Sequence, residues 1–327
     1  MEKRNVLHSY KELSVLFEER FNRNHFPETP KKLYEASQYL LTVKGKRIRP
    51  VMCLMGNELF DNINEDAYQV ATAIELFHNF TLVHDDIMDR APLRRGMETV
   101  HIKYGEATAL LAGDVLLVAA YEYLNKIGTG ILHHVLNVFN ITAKKVCEGQ
   151  QMDMDFERKP DVRFEDYVTM IGLKTSVLLA ASLQLGAILG GSGLGNQQHL
   201  YEFGKNLGIA FQIQDDYLDA FGDPEKFGKK KGGDIMANTN TFFLLQAMNV
   251  ASVSQKKELN LLLQSNDESK IDLVLDIYRD CQIDQWAEKL KQQYFSLAMH
   301  HLEETAVLST RKKPLEKLAK DLLERES

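Results

Sequence analysis

From Pro92 to Pro160, from Pro160 to Pro224 and from Pro224 to Pro314 this chain runs without a proline. Proline removes a backbone donor and clashes with the preceding turn, so such stretches are what long helices require. The apolar pattern agrees. Residues 66–89 place Ala71, Ile74, Phe77, Leu82 and Val83 at near-helical spacing. Residues 107–127 and 131–152 are rich in Leu, Val and Ala, without the period-2 alternation of strands. Segments 174–190 and 200–220 are apolar over much of their circumference, as helices central to a large bundle are. Turn signals at 92–96, 128–130, 160–161, 190–193 and 222–224 separate the segments, and none is a long linker. Residues 254–327 are more polar and are expected as an outer pair or trio of helices. The expectation is an all-α fold, a single large helical bundle around a central cavity, with residues 1–327 as one domain.

Two acidic pentads interrupt this apolar helical sequence: Asp85-Asp86-Ile87-Met88-Asp89 and Asp215-Asp216-Tyr217-Leu218-Asp219. Each places carboxylates at i, i+1 and i+4, so the first and last share one helix face a turn apart. Like charges at that spacing weaken a bare helix. One such pentad alone is most often a solvated face. Here Phe77, Phe80, Leu82 and Val83 precede the first, and Phe211 and Ile213 the second. Carboxylates in apolar surroundings are costly unless paired or metal-bound. Oxygen donors without His or Cys favour a hard ion, and Mg²⁺ typically takes one or two carboxylates plus substrate phosphates. Two facing half-shells of this kind would hold a metal-bound diphosphate.

Composition removes several function classes. The net charge of −7 argues against general nucleic-acid binding, which needs a basic face. Local basic groups remain, in Lys44-Gly45-Lys46-Arg47-Ile48-Arg49 and Arg94-Arg95, and could serve a small anionic substrate. The three cysteines, Cys53, Cys147 and Cys281, lie far apart without metal-ligand spacing, as buried thiols in a reducing compartment would. No apolar signal segment follows Met1 and no run reads as long enough to cross a bilayer, so a cytoplasmic protein without stable membrane insertion is expected.

Taken in order, these motifs resemble those of the trans-isoprenyl diphosphate synthases. The resemblance runs over Gly45-Lys46-Arg47-Ile48-Arg49-Pro50, Glu75-Leu76-Phe77-His78, the first pentad, Arg94-Arg95-Gly96 and Ala112-Gly113-Asp114. It continues through Gly149-Gln150-Gln151-Met152-Asp153, Lys174-Thr175, Phe211-Gln212-Ile213-Gln214 with the second pentad, and Gly228-Lys229. The last eighty or so residues resemble the family only weakly. The resemblance implies a fold of the isoprenoid synthase type and condensation of isopentenyl diphosphate with an allylic diphosphate. It also implies a homodimer.

By the same resemblance, Asp85 and Asp89 would hold two Mg²⁺ from one side and Asp215 a third from the other. Asp86, Asp219 and Asp153 would lie in an outer shell. Arg94, Lys174, Gln212 and Lys229 would contact the allylic diphosphate, while Lys46, Arg49, His78 and Arg95 would bind the isopentenyl diphosphate. Dipoles around Lys174 and Thr175 would face the carbocation. The growing tail would run down the first-motif helix past Phe77, Phe80 and Thr81, where a bulky ring stops it. With Phe80 bulky, Thr81 small and no insertion in the first motif, a fifteen- or twenty-carbon product is expected, twenty being favoured.

Two departures stand out. Lys44 replaces a usual glycine, and Thr239 in Asn238-Thr239-Asn240-Thr241 replaces a usual lysine on the allylic diphosphate. Lys230 or Lys231 are candidates to compensate. A class I terpene cyclase is the first rival reading, disfavoured by the second basic site. A non-catalytic partner subunit is the second, disfavoured by the six intact aspartates.

Overall fold

The computed structural model describes residues 7–43, 45–156, 159, 162–222 and 232–324. The described residues are almost wholly helical, as expected. In chain order they form α1 (Tyr10–Phe21), α2 (Lys31–Leu41), α3 (Ile48–Glu58), α4 (Glu65–Met88), α5 (Val100–Tyr104), α6 (Glu106–Leu124), α7 (Thr129–Phe156), α8 (Phe164–Ile171), α9 (Val177–Leu189) and α10 (Leu194–Phe221). Helices Gly233–Ala237, Phe242–Val250, Val253–Leu262, Lys270–Asp280, Ile283–Glu304 and Ser309–Leu323 follow. The chain divides into two compact units. The first comprises Met1–Ile141, Ala181–Tyr201 and Thr305–Leu315; the second comprises Thr142–Ala180, Glu202–Glu304 and Glu316–Ser327.

In the first unit, helix starts follow local capping chemistry. Ser9 and Glu12 form a reciprocal capping box at α1, Ser9 N donating to the Glu12 carboxylate at 2.7 Å. Asn64 caps α4 by accepting from Ala67 N at 2.8 Å, with Glu65 and Asp66 complementing the helix dipole. From there α4 runs unbroken to Met88 and carries Asp85 and Asp86 in its last turn. Residues Ala67 to Phe77 include an almost continuous buried run, which fixes α4 as a core helix.

The 92–96 turn signal proves to be a two-residue antiparallel hairpin, Leu93–Arg94 with Met97–Glu98. Arg95 (φ 52°) and Gly96 (φ 78°) form its tip, both left-handed as a tight hairpin turn demands. Sequence periodicity cannot resolve strands this short.

The second unit closes over an aromatic core. Phe242 meets Tyr167 edge-on at 4.8 Å and Phe164 at 5.8 Å, and Phe243 packs near Phe221 at 5.7 Å. The 254–327 expectation needs correcting here. Val274, Leu275, Ile277, Tyr278, Ile283 and Ala287 are all buried members of this core. Their polar neighbours lie on the opposite helix faces, and average polarity hid the buried stripe.

The expectation that no run reaches membrane-crossing length is also corrected. Glu106–Leu124 and Phe164–Leu189 both reach it by length and hydropathy. The second is 78% buried within the protein, as a core helix is, whereas only 44% of the first is covered.

Candidate active site

The basic run before α3 separates into different roles. Arg47 adopts a left-handed backbone (φ 49°) and turns inward. Its guanidinium donates to Glu75 Oε1 at 2.5 Å and to the Leu41 carbonyl at 3.0 Å, and both charged side chains are about 5% exposed or less. Arg47 is therefore structural. The Lys46 carbonyl accepts from the Tyr10 hydroxyl, which fastens this loop to α1.

One turn on, Arg49 Nη1 lies 3.2 Å from His78 Nε2. Guanidinium only donates, so this imidazole nitrogen accepts and His78 is neutral. Burial, followed by the charges of Arg49, Arg95, Arg94 and Arg47, holds His78 well below its usual value. Burial also lowers Arg49, to about 10, with Arg95 adding to the fall and Glu75 opposing it. Arg95 packs over Gly45, where a Cβ would stand 2.5 Å from Nη1. Arg49, His78 and Arg95, expected on the isopentenyl diphosphate, are thus gathered in one cationic place, with Arg49 and His78 half-buried and Arg95 exposed. Such crowding of like charge is relieved by an anion.

At the end of α4 the three aspartates diverge. Asp86 is 1% exposed and accepts from Arg94 Nε at 2.8 and 2.9 Å, with Arg94 Nη2 2.7 Å from Oδ1. This fork anchors the hairpin that presents Arg95. Asp85 is half-buried and Asp89 exposed. Asp85 and Asp89 are therefore the aspartates that remain accessible at this end of α4. Asp86, a candidate ligand from sequence, stands behind them.

Below the motif, Phe80 is half-buried and packs against Phe77 with tilted rings, centroids 5.6 Å apart. Phe77 meets Phe139 at 5.3 Å, and Phe139 meets Tyr121 at 5.4 Å. The Thr81 hydroxyl donates to the His78 carbonyl at 2.8 Å, so it presents its methyl rather than a free donor.

In the second unit the second pentad repeats the division. Asp216 is buried, and Gln212 Nε2 donates to its Oδ1 at 2.9 Å. Burial pushes Asp216 up to about 8, with Asp234 adding and the Gln212 bond opposing. Asp215 and Asp219 are half-buried. Asp219 accepts from Asp234 N at 3.0 Å, and its carbonyl accepts from Gly232 N at 2.8 Å, which fixes the helix Gly233–Ala237.

Lys174 and Thr175 lie in a π-helical turn, Gly172–Ser176, between α8 and α9. Such turns are frequent at functional sites. A Cβ at Gly149 would stand 2.3 Å from Lys174 N, so only glycine admits the turn there. One helical turn on, Asp153 grips Lys174 Nζ at 2.5 Å. The Gly149–Asp153 spacing is thereby explained.

Near Thr239, Asn238 takes a left-handed conformation (φ 56°). The buried Lys270 ammonium bonds its Oδ1 at 2.8 Å, the Ser265 carbonyl at 2.9 Å and the Met236 carbonyl at 3.3 Å. Sequence reading missed Lys270, since nothing marks a lysine as buried. Lys229, Lys230 and Lys231 lie outside the described residues.

Each accessible aspartate set offers hard oxygen donors only, a chemistry that fits Mg²⁺. Among the described residues no three His, Cys, Asp or Glu side chains converge as a complete metal cage.

The sequence pattern of the polyprenyl synthetase family matches residues 30–281. The chain belongs to the polyprenyl synthetase family. This family member is 37% identical to a short chain isoprenyl diphosphate synthase of Methanothermobacter thermautotrophicus, over 100% of this chain and 99% of the relative. It is 38% identical to a geranylgeranyl diphosphate synthase of Saccharolobus solfataricus, over 96% and 98%. A solved geranylgeranyl pyrophosphate synthase superposes with a TM-score of 0.92 at 39% identity, covering 98% of this chain and 100% of that one. This polyprenyl synthetase is a trans-prenyltransferase.

Proposed function

We propose that this prenyltransferase joins isopentenyl diphosphate to an allylic diphosphate in a Mg²⁺-dependent reaction. The product is a linear prenyl diphosphate, of twenty carbons in preference to fifteen. The observation that carries the reading is the half-buried Arg49–His78 pair with Arg95 beside it, a cationic site suited to a second diphosphate. Arginine forks bind phosphate oxygens in bidentate fashion. A cyclase, with one diphosphate, has no use for it. The whole-chain correspondence with relatives supports a single catalytic domain.

Asp85, Asp89 and Asp215 are the proposed Mg²⁺ ligands. When bound, the ions neutralise charge on the departing diphosphate. Arg94, held by Asp86, and Lys174, held by Asp153, are the proposed cations for the allylic diphosphate. Preorganised cations of this kind need no rearrangement as the carbon–oxygen bond ionises. Apolar walls such as Phe77 and Phe80 exclude water from the resulting carbocation.

The aromatic cluster below Asp85 supports the short product. Phe80→Ala removes its upper ring and is expected to extend the product by one or more five-carbon units. Chromatography of products from the purified variant checks this, and an unchanged length would refute it. For the wild type, products stopping short of twenty carbons or running well past it would contradict the length proposed.

A second copy of the chain is the proposed occupant of the outer face of α6. Leu110, Leu111 and Val118 are 49%, 55% and 59% exposed there, and Tyr121 is 38% exposed. An apolar stripe of this size is rarely left to water. Light scattering should return a dimer mass, and a monomer would contradict it. All three cysteines are free thiols, which supports the cytoplasm as location. Fractionation showing the protein elsewhere would overturn that.

A further inference from the structure

The motif Ala112-Gly113-Asp114 has no part in the chemistry above, yet it touches the catalytic helix directly. His84 lies one residue before Asp85 and one helical turn after Phe80. Its ring crosses from α4 into α6, where Nε2 is 3.1 Å from the Leu110 carbonyl. A carbonyl only accepts, so this nitrogen carries the hydrogen. The Asp114 carboxylate stands 3.9 Å from the same nitrogen. On its other side the ring meets Phe80 edge-on, with centroids 4.7 Å apart. The ring occupies the space a side chain would need at Gly113, where a Cβ would lie 2.3 Å from Nε2 and 2.4 Å from Cδ2. With the ring in place, only glycine fits.

We infer that His84 is a positioning residue: seated in the Gly113 notch and bonded to the Leu110 carbonyl, it sets the rotation of α4 and so the aim of Asp85 and the height of Phe80. The inference rests on the function proposed above. The lever is short and stiff. A side-chain tip rides about 5–6 Å from the helix axis, so turning α4 by about 10° moves the Asp85 carboxylate by about 1 Å. Misplacements of that size can cost about 10²-fold in rate. The anchor also joins Asp85 and Phe80 mechanically, so disturbing it should affect metal binding and product length together. Of the basic cluster, His78 rides on α4 itself and Arg95 on the hairpin held by Asp86, so only Arg49, carried by α3, keeps its place.

Gly113→Ala tests this, because the new methyl expels the ring from its seat. The variant is expected to lose about 10- to 100-fold in kcat/KM for the allylic substrate. Its Mg²⁺-dependent affinity for inorganic diphosphate, read by calorimetry, should weaken several-fold, and its products should spread in length. Combining Gly113→Ala with His84→Ala relieves the clash, so the pair should be no worse than His84→Ala alone. His84→Gln keeps a donor at similar reach and should retain more diphosphate affinity than His84→Leu, which fills the space without one. A merely structural ring would lower the melting temperature of all these variants while diphosphate affinity, allylic KM and product length stayed at wild-type values, and that result would overturn the inference. Additive losses in the double variant would do the same. Failure of the wild type to turn over any primer would sink the proposed reaction instead, leaving the calorimetric comparison to judge the role of His84.

Discussion

Asp85→Asn and Asp215→Asn are each expected to cut kcat by about 10²–10³ or more, while the protein stays folded. Each substitution removes a charged donor from a proposed Mg²⁺ site but keeps the shape of the side chain. Neither aspartate is buried. For Asp85 the sign on stability is opposite to the usual one. Losing one of two like charges at i and i+4 should raise the melting temperature slightly in the absence of metal. Asp86→Asn is the contrasting case. Its carboxylate is 1% exposed and holds Arg94 by a fork, so the loss should appear first as lower stability and a displaced hairpin. Steady-state rates beside thermal unfolding separate the two patterns. Near wild-type turnover in both Asp85→Asn and Asp215→Asn would remove the metal assignment.

Arg47→Met is expected to destabilise the fold by about 3–5 kcal/mol, because it leaves Glu75 charged and buried without its partner. Its neighbour Lys46 is exposed, so Lys46→Met should leave thermal stability almost unchanged and act on KM for isopentenyl diphosphate. Chemical denaturation of the two variants gives the comparison. Equal midpoints would mean that the inward turn of Arg47 is not what secures the loop before α3.

That contrast marks the limit of what the sequence could say. Lys46, Arg47 and Arg49 are adjacent basic residues in one motif, and only the left-handed backbone at Arg47 sorts one inward. The long helices were readable, because proline spacing and apolar period are local properties: residues 66–89 became Glu65–Met88, and 107–127 became Glu106–Leu124. The acidic pentads stood out for the same reason. Which aspartate of each faces away was not readable, since it depends on Arg94 and Gln212 arriving from elsewhere in the chain or turn. The π turn at Lys174 escaped notice because Gly172–Ser176 has an ordinary helical composition. It is accompanied by the close approach of Gly149, a tertiary contact. Polar content likewise concealed the buried face of Lys270–Asp280, where a lysine itself is in the core. What sequence carries poorly is direction: the side of an element on which a given residue ends.

The central claim is a two-substrate prenyl transfer, and diphosphate release tests it most directly. Purified protein with Mg²⁺ would be given labelled dimethylallyl, geranyl or farnesyl diphosphate, each with and without isopentenyl diphosphate. Release is expected only when isopentenyl diphosphate is present, with label moving into longer linear prenyl diphosphates. Release without it, accompanied by cyclised hydrocarbon, or no release with any primer, would contradict the account.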